Sequence, residues 1–399
     1  MTAAMSGPTK SSLALIFTVV LLDQLGLGIL LPVAAFIVRQ YDTRALAVGL
    51  MSVIYAAGQF IAAPVLGNLS DRYGRRPVLL LSLLGSAFGY YLFGIGGALW
   101  VLIVSRLIDG VSGGSLSTAY AYIADVTLPQ DRAKTYGWLG AAFGIGLVAG
   151  PALGGLLTRI SLTAPAFAAG TFSLLSAGVA FLVLPESLPK DKRRLGPVGG
   201  ASLNPFASMS EMLRRPELSI LLVTFTIFNL VFNGRNSVMP VLLIERLRAE
   251  PGHIAGLFFV SGLALGIVQI VLIAPLLKRF GVKGLTIGSL IVQGFGTAGM
   301  ILAPALWMQY PIIIISVGAS GFTWAALAAL GANSVGPDEQ GKLSGVSASL
   351  GSLTSILGPL GAAAAYDAMG PPAPFWISAV LLALAGLLFT RLRMPAPAP

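Results

Sequence analysis

The feature that most constrains this chain is the recurrence, from one end to the other, of apolar runs about 20 residues long, each enough to cross a hydrocarbon core as a helix. Within a bilayer the backbone must satisfy its own hydrogen bonds, so only helices and closed barrels span it. A barrel would show short alternating strands instead, and these runs are continuous. With 56% hydrophobic residues and 10% charged, the sequence is expected to be an all-α polytopic membrane protein. Twelve spans are expected, near 12–38, 45–68, 76–96, 99–123, 135–158, 164–184, 218–244, 252–277, 283–303, 306–332, 342–366 and 372–391. The chain has no cysteine and one histidine, His253, which leaves little material for a metal site or a thiol nucleophile. Neither an enzyme nor a cofactor is expected.

The net charge of +10 follows topology rather than nucleic-acid binding. With the N-terminus inside, Arg39, Arg44, Arg159, Arg246 and Arg248 fall outside, Arg106 and Arg235 fall within spans, and all other Lys and Arg face the cytoplasm. Both termini are therefore expected to be cytoplasmic. The N-terminal segment has one lysine and no small-residue cleavage pattern, so the first span reads as a retained helix.

Residues 185–217 are hydrophilic and divide six spans from six, giving an N-terminal bundle over 1–184, a cytoplasmic linker, and a C-terminal bundle over 218–399. The end of the linker, Phe206 to Leu213, reads either as a short interfacial helix or as solvated chain. Adding 208 to a position repeatedly finds the same residue: Gly26/Gly234, Gly58/Gly266, Gly110/Gly318, Gly150/Gly358 and Pro151/Pro359. The chain thus reads as a duplicated six-helix unit. Parallel repeats of this kind place a substrate path near the midplane and permit rocking between inward-open and outward-open states.

Several polar residues stand out against this background. Asp23 lies mid-span, where an ionised carboxylate costs about 3 kcal/mol by insertion scales unless solvated or paired. It is a candidate proton carrier, or else a structural group bonded between helices. Arg106 and Asp109 share one helix face by their i, i+3 spacing, as a modulating pair for a nearby acid or as a fold-holding ion pair. Gly144, Gly150, Pro151, Gly154 and Gly155 form a small-residue face suited to close packing and bending. Gln24, Tyr55, Gln59, Asn229, Asn233, Arg235, Asn236, Gln269 and Gln293 are either pocket-lining groups or interhelical glue.

Between spans two and three runs a charged turn, Gly67-Asn68-Leu69-Ser70-Asp71-Arg72-Tyr73-Gly74-Arg75-Arg76-Pro77. Gly67 and Gly74 suit close approach and positive φ, and Pro77 suits a first helical turn. At a shift of 207, Arg279-Phe280-Gly281 repeats Arg72-Tyr73-Gly74 without the preceding aspartate.

Together these stretches resemble the major facilitator superfamily, in particular its twelve-span drug:proton antiporters. Gly67 to Pro77 resembles the family's loop between spans two and three, Arg106 with Gly110 its span-four motif, Gly144 to Gly155 its span-five antiporter motif, and Asp23 with Gly26 its span-one motif. Tyr122-Ile123-Ala124-Asp125, Tyr136 to Gly140 and Gly150-Pro151 most resemble bacterial tetracycline-efflux proteins. The resemblance implies a monomeric transporter in a bacterial inner membrane that exports small lipophilic drugs while protons move in. Asp23 would couple the proton and Arg106 would influence it. Asp71, Arg72, Arg75, Asp125, Gly341 and Gly345 would latch the cytoplasmic side, with Asp71 meeting the start of span eleven and Asp125 meeting Arg75. Tetracycline exporters carry acids in spans three and nine where this chain has Gly89 and Gln293, and Asp109 is an addition. The competing expectation is a proton-coupled importer or exporter of a sugar or other metabolite on the same fold.

Overall fold

A computed structural model describes residues 10–128, 131–193, 210–336 and 339–392. Among these residues every regular element is helical. In order they are α1 (Lys10–Leu30), α2 (Ala34–Arg39), α3 (Ala45–Tyr73), α4 (Arg75–Ile95), α5 (Leu99–Ser112), α6 (Ser115–Val126), α7 (Arg132–Leu157), α8 (Ala164–Leu182), α9 (Pro216–Leu247), α10 (Pro251–Ile267), α11 (Ile273–Leu302), α12 (Leu306–Asn333), α13 (Gln340–Met369) and α14 (Ala373–Thr390).

Eleven helical stretches among the described residues are long and apolar enough to cross a membrane, where twelve spans are expected from the sequence. The difference arises at residues 251–302. There α10, a π-helical turn over Val268–Leu272 and α11 run on as one stretch of 52 residues. Gly281 breaks that stretch, with φ +65° and ψ 167°. Other expected boundaries also shift. The first run divides into α1 and α2, and the fourth divides at Gly113 and Gly114 into α5 and α6. The stretch 67–77 is mostly helix, since α3 continues to Tyr73 and α4 begins at Arg75, leaving Gly74 as the turn. Of the stretch 206–213, read as interfacial helix or solvated chain, residues 206–209 lie outside the described residues and 210–213 is helical.

The chain forms two compact units. The first comprises residues 1–43, 54–200 and 251–259, and the second 44–53, 201–250 and 260–399. The exchange is reciprocal, because the start of α3 joins the second unit and the start of α10 joins the first.

In the first unit α1 packs on α7 and α8, and α4 on α5 and α8. The α1–α7 crossing is as close as it is because glycine faces glycine. A Cβ on Gly28 would sit 2.3 Å from the Gly146 carbonyl oxygen, and one on Gly150 would sit 2.6 Å from Gly28 Cα. In the second unit α9 packs on α13 in the same way, where a Cβ on Gly234 would lie 2.8 Å from the Gly358 oxygen. Gly150 and Gly358, one repeat apart, both sit at these crossings, whereas Gly26, the counterpart of Gly234, meets Ala169 of α8 instead. Buried side chains of α1, α4, α6, α7 and α8, including Val20, Leu83, Tyr122, Leu139 and Ala177, fill the first interior. Phe228, Leu290, Leu327, Leu350 and Phe389 fill the second.

Candidate functional site

The first unit concentrates charge in its interior. Asp23 of α1 accepts hydrogen bonds from the Ser115 hydroxyl of α6 at 2.8 Å and from the Ser173 hydroxyl of α8 at 3.4 Å. Two neutral hydroxyl donors orient the carboxylate, and among the described residues no cation bonds to it. In the last two turns of α5, ahead of the α5/α6 break, Arg106 donates to Asp109 Oδ2 at 3.1 Å. The two side chains are 8% and 2% exposed, which makes this a buried ion pair. Arg106 also lies against the rings of Phe93 and Tyr90, 4.6 and 5.3 Å from their centroids, while its Nε and Nη2 have no hydrogen-bond partner. A guanidinium with donors to spare can take on a second acceptor when the site changes.

Gly89 explains the position of Asp109. A Cβ on Gly89 would lie 3.0 Å from the Ser105 carbonyl oxygen and 3.1 Å from Asp109 Cβ. The α4–α5 crossing leaves no room for an acid at position 89, and a carboxylate stands directly across the crossing instead.

The break between α5 and α6 is held by Gln59, whose amide donates to the Gly113 carbonyl at 3.1 Å, with the Tyr55 hydroxyl at 3.5 Å. Gln59 and Tyr55 are thereby committed to the helix junction. Gln24 is buried on α1 with its Cβ side against Gly146.

The second unit is built from neutral groups. Gln293 of α11 donates to the Ser289 carbonyl at 3.1 Å and to Thr323 Oγ1 of α12 at 3.0 Å, and Ser289 and Thr323 share a 2.7 Å bond. At 2% exposure, Gln293 joins two helices. Asn229 and Asn233 donate to carbonyls one turn back, those of Phe225 and Asn229. Asn236 is half-buried and Gln269 is exposed on the π-helical turn. Arg235 is 4% exposed and lies 5.7 Å from the Phe232 ring centroid. An apolar groove of about 490 Å³, bordered by Val268, Leu272, Phe280, Leu285, Ile315 and Phe322, opens beside that turn. None of its lining residues is titratable.

The charged turn between α3 and α4 is organised by Arg75. Its Nε donates to Asp125 Oδ2 at 2.9 Å, and its Nη1 donates to Ser70 Oγ at 2.7 Å and to Asp71. The pairing of Arg75 with Asp125 is present, and Asp71 binds Arg75 from one turn back. Arg72 stacks on Tyr73. Gly74 has φ +108°, and its backbone lies so close to Glu186 that a Cβ would meet Oε2 at 2.3 Å. Gly67 behaves otherwise than expected, because it sits inside α3 without positive φ and with open space around it. Gly144 and Gly345 also face open space, whereas Gly154 and Gly155 are packed against Ile29 and Ala255. Pro151 lies within α7, and Gly341 is in the first turn of α13.

Two carboxylates that sequence reasoning passed over cap helices here. Glu186 accepts from the backbone N–H groups of Arg75 and Arg76 at 2.8 and 3.3 Å, closing the start of α4. Asp367, near the end of α13, accepts from those of Ala45 and Leu46 at 3.0 and 2.8 Å, closing the start of α3. Each satisfies orphan donors where the helix dipole favours negative charge. Gly74, just before α4, offers no side-chain cap of its own, which is the only signal in the sequence for Glu186.

With this geometry in view, the family model for the Major Facilitator Superfamily matches residues 16–359. The chain belongs to that superfamily. It is 36% identical to the class C tetracycline resistance protein of Escherichia coli over 90% of this chain and 91% of the relative. It is 27% identical to multidrug resistance protein 1 of Bacillus subtilis, over 96% and 97%. Among solved structures, that of the human organic anion transporter MFSD10 (TETRAN) superposes with a TM-score of 0.69 at 25% identity, covering 96% of this chain and 100% of that one. The resemblance to tetracycline-efflux proteins read from the motifs is thus borne out, and the protein is a multi-pass membrane transporter.

Proposed function

We propose that this transporter is a proton-coupled exporter of small lipophilic drugs, working by alternating access of two six-helix bundles across twelve spans. The observation that carries the reading is Asp23, a carboxylate inside the membrane span that is held by two serine hydroxyls and, among the described residues, by no cation. Such a group can lose its proton to one side and regain it from the other at small structural cost. The buried Arg106–Asp109 pair on α5 modulates it, and Asp109 takes the place of the span-three acid for which Gly89 leaves no room. Relatedness to tetracycline and multidrug resistance proteins supports export and a drug-like cargo. The protein acts as a monomer in a bacterial inner membrane with both termini cytoplasmic, and it draws on the proton gradient rather than a cofactor. Arg75 with Asp71 and Asp125 forms the cytoplasmic latch that the α13 start, at Gly341 and Gly345, completes in the outward-open state.

The test uses purified protein in interior-acid vesicles. A panel of tetracyclines, chloramphenicol, cationic dyes and sugars is added outside, and internal pH is followed. Dissipation of the gradient by drugs, together with lowered drug accumulation in cells, is the expected result. A response to sugars alone, with sugar accumulated by cells, assigns the chain to metabolite transport instead.

A further inference from the structure

The charge of the second unit's interior is the reverse of that in the first, and nothing above uses it. Arg235 is buried in the middle of α9, yet among the described residues it makes no hydrogen bond and meets no carboxylate; its contact is the face of Phe232. An isolated buried guanidinium is costly, and buried charges are ordinarily paired. Every described acid of its unit is placed elsewhere. Glu211 and Glu339 pair with Lys342 and Arg215 at the helix ends. Glu245 accepts from the Tyr366 hydroxyl, and Asp367 caps α3. Glu217 and Glu250 stand at the starts of α9 and α10. Along α9 the closest acid to Arg235 is Glu245, ten residues on, or about 15 Å away.

Two further observations give the site a shape. Arg235 is 4% exposed, and its guanidinium lies 5.7 Å from the Phe232 ring centroid. Phe232 continues into an aromatic wall, in which Phe228 lies 6.1 Å from Phe232, and Trp324 of α12 meets Phe225 and Phe228 edge-on at 6.2 and 5.8 Å. A planar cation in a dry setting next to aromatic faces matches an aromatic or lipophilic body that bears a carboxylate or a comparable anionic group.

We infer that Arg235, backed by Phe232 and the Phe225–Phe228–Trp324 cluster, binds the anionic group of the cargo, so that the substrates are organic anions. The anion supplies the counter-charge that the unit lacks. The inference rests on the proposed transport function only for the direction of movement, and a binding measurement tests it separately.

Purified protein in nanodiscs is titrated with three matched probes, 2-naphthoate, 2-naphthamide and the 2-naphthylmethylammonium cation. Wild type is expected to bind the carboxylate best. Arg235→Gln is expected to lose roughly tenfold or more in carboxylate affinity, while its amide affinity changes less than about twofold. Arg235→Lys is expected to recover part of the loss. Thermal melts of the variants establish that they are folded, and if Arg235→Gln is not, Arg235→Lys and the wild-type ranking of the probes carry the test. Equal losses for carboxylate and amide, a preference of wild type for the ammonium probe, or no binding of the carboxylate would overturn the inference. If the probes behave as stated while no drug moves protons, the transport proposal falls and this assignment stands.

Discussion

The two units share their helix crossings and differ in what those crossings enclose. In the first, α1, α5, α6 and α8 surround Asp23, Arg106 and Asp109. In the second, the neutral network of Ser289, Gln293 and Thr323 closes on itself and a lone Arg235 remains. Duplication kept the backbone solution, glycine against glycine, because a close crossing tolerates nothing larger. It left the polar residues free to diverge, since each needs only to be satisfied locally. The lesson is that one unit encloses acids and the other a buried cation, and the proton and cargo roles proposed above rest on that difference.

The largest effect we expect is steric and common to both units. Gly28→Leu drives a side chain into the backbone of α7 and should cost about 3 kcal/mol or more, leaving little folded protein by size-exclusion chromatography. Gly358→Leu should act alike on the α9–α13 crossing, whereas Gly144→Ala, facing open space, should leave the melting temperature nearly unchanged. Should Gly358→Leu be tolerated, the shared crossing would not be what holds both units.

The hinges offer the next contrast. Arg75 ties Ser70, Asp71 and Asp125 together, and its removal in Arg75→Ala strands two carboxylates at a cost of about 2 kcal/mol in thermal stability. At the second hinge Arg279 meets the ring of Phe280, so Arg279→Ala should change stability by less than about 0.5 kcal/mol. Equal effects would remove the asymmetry.

Gln293→Leu tests the neutral network. It removes two amide hydrogen bonds but leaves Ser289 bonded to Thr323, so we expect a loss of about 1 kcal/mol and unchanged proton coupling. Loss of coupling would bring the second unit into the proton path.

The smallest effect concerns pH. Glu339 is partly exposed, and its hydrogen bonds to Arg215 hold its carboxyl below the usual carboxylate range. A depressed folded-state value means that the pair's stabilisation is present above the ordinary carboxylate value and is lost as pH falls through the depressed one. Wild type and Glu339→Gln should therefore differ slightly in melting temperature at neutral pH and converge in acid. A difference that grew in acid would reverse the sign.

Much of this was legible in the sequence, because apolar length reports spans and charged turns report their ends. The break at Gly281 was visible as a degenerate hinge, but not the continuity of helix across 251–302, which depends on a π-helical turn that no periodicity marks. Asp23 and the Arg106–Asp109 pair were legible because charge inside a span is rare. Gln59 and Gln293 were ambiguous, since an amide reads the same whether it faces a cargo or a neighbouring carbonyl. Glu186 and Asp367 were hidden because each caps a helix remote in sequence, so neither carries a local motif.

The central claim, that the first unit carries the proton, is tested most directly by Asp23→Asn in reconstituted interior-acid vesicles. Asparagine keeps the size and can still bond to Ser115 and Ser173, but it cannot carry a proton across the cycle. The account predicts a folded protein that binds cargo and no longer dissipates the pH gradient when cargo is added. Cargo-dependent proton movement at the wild-type rate in that variant would contradict it.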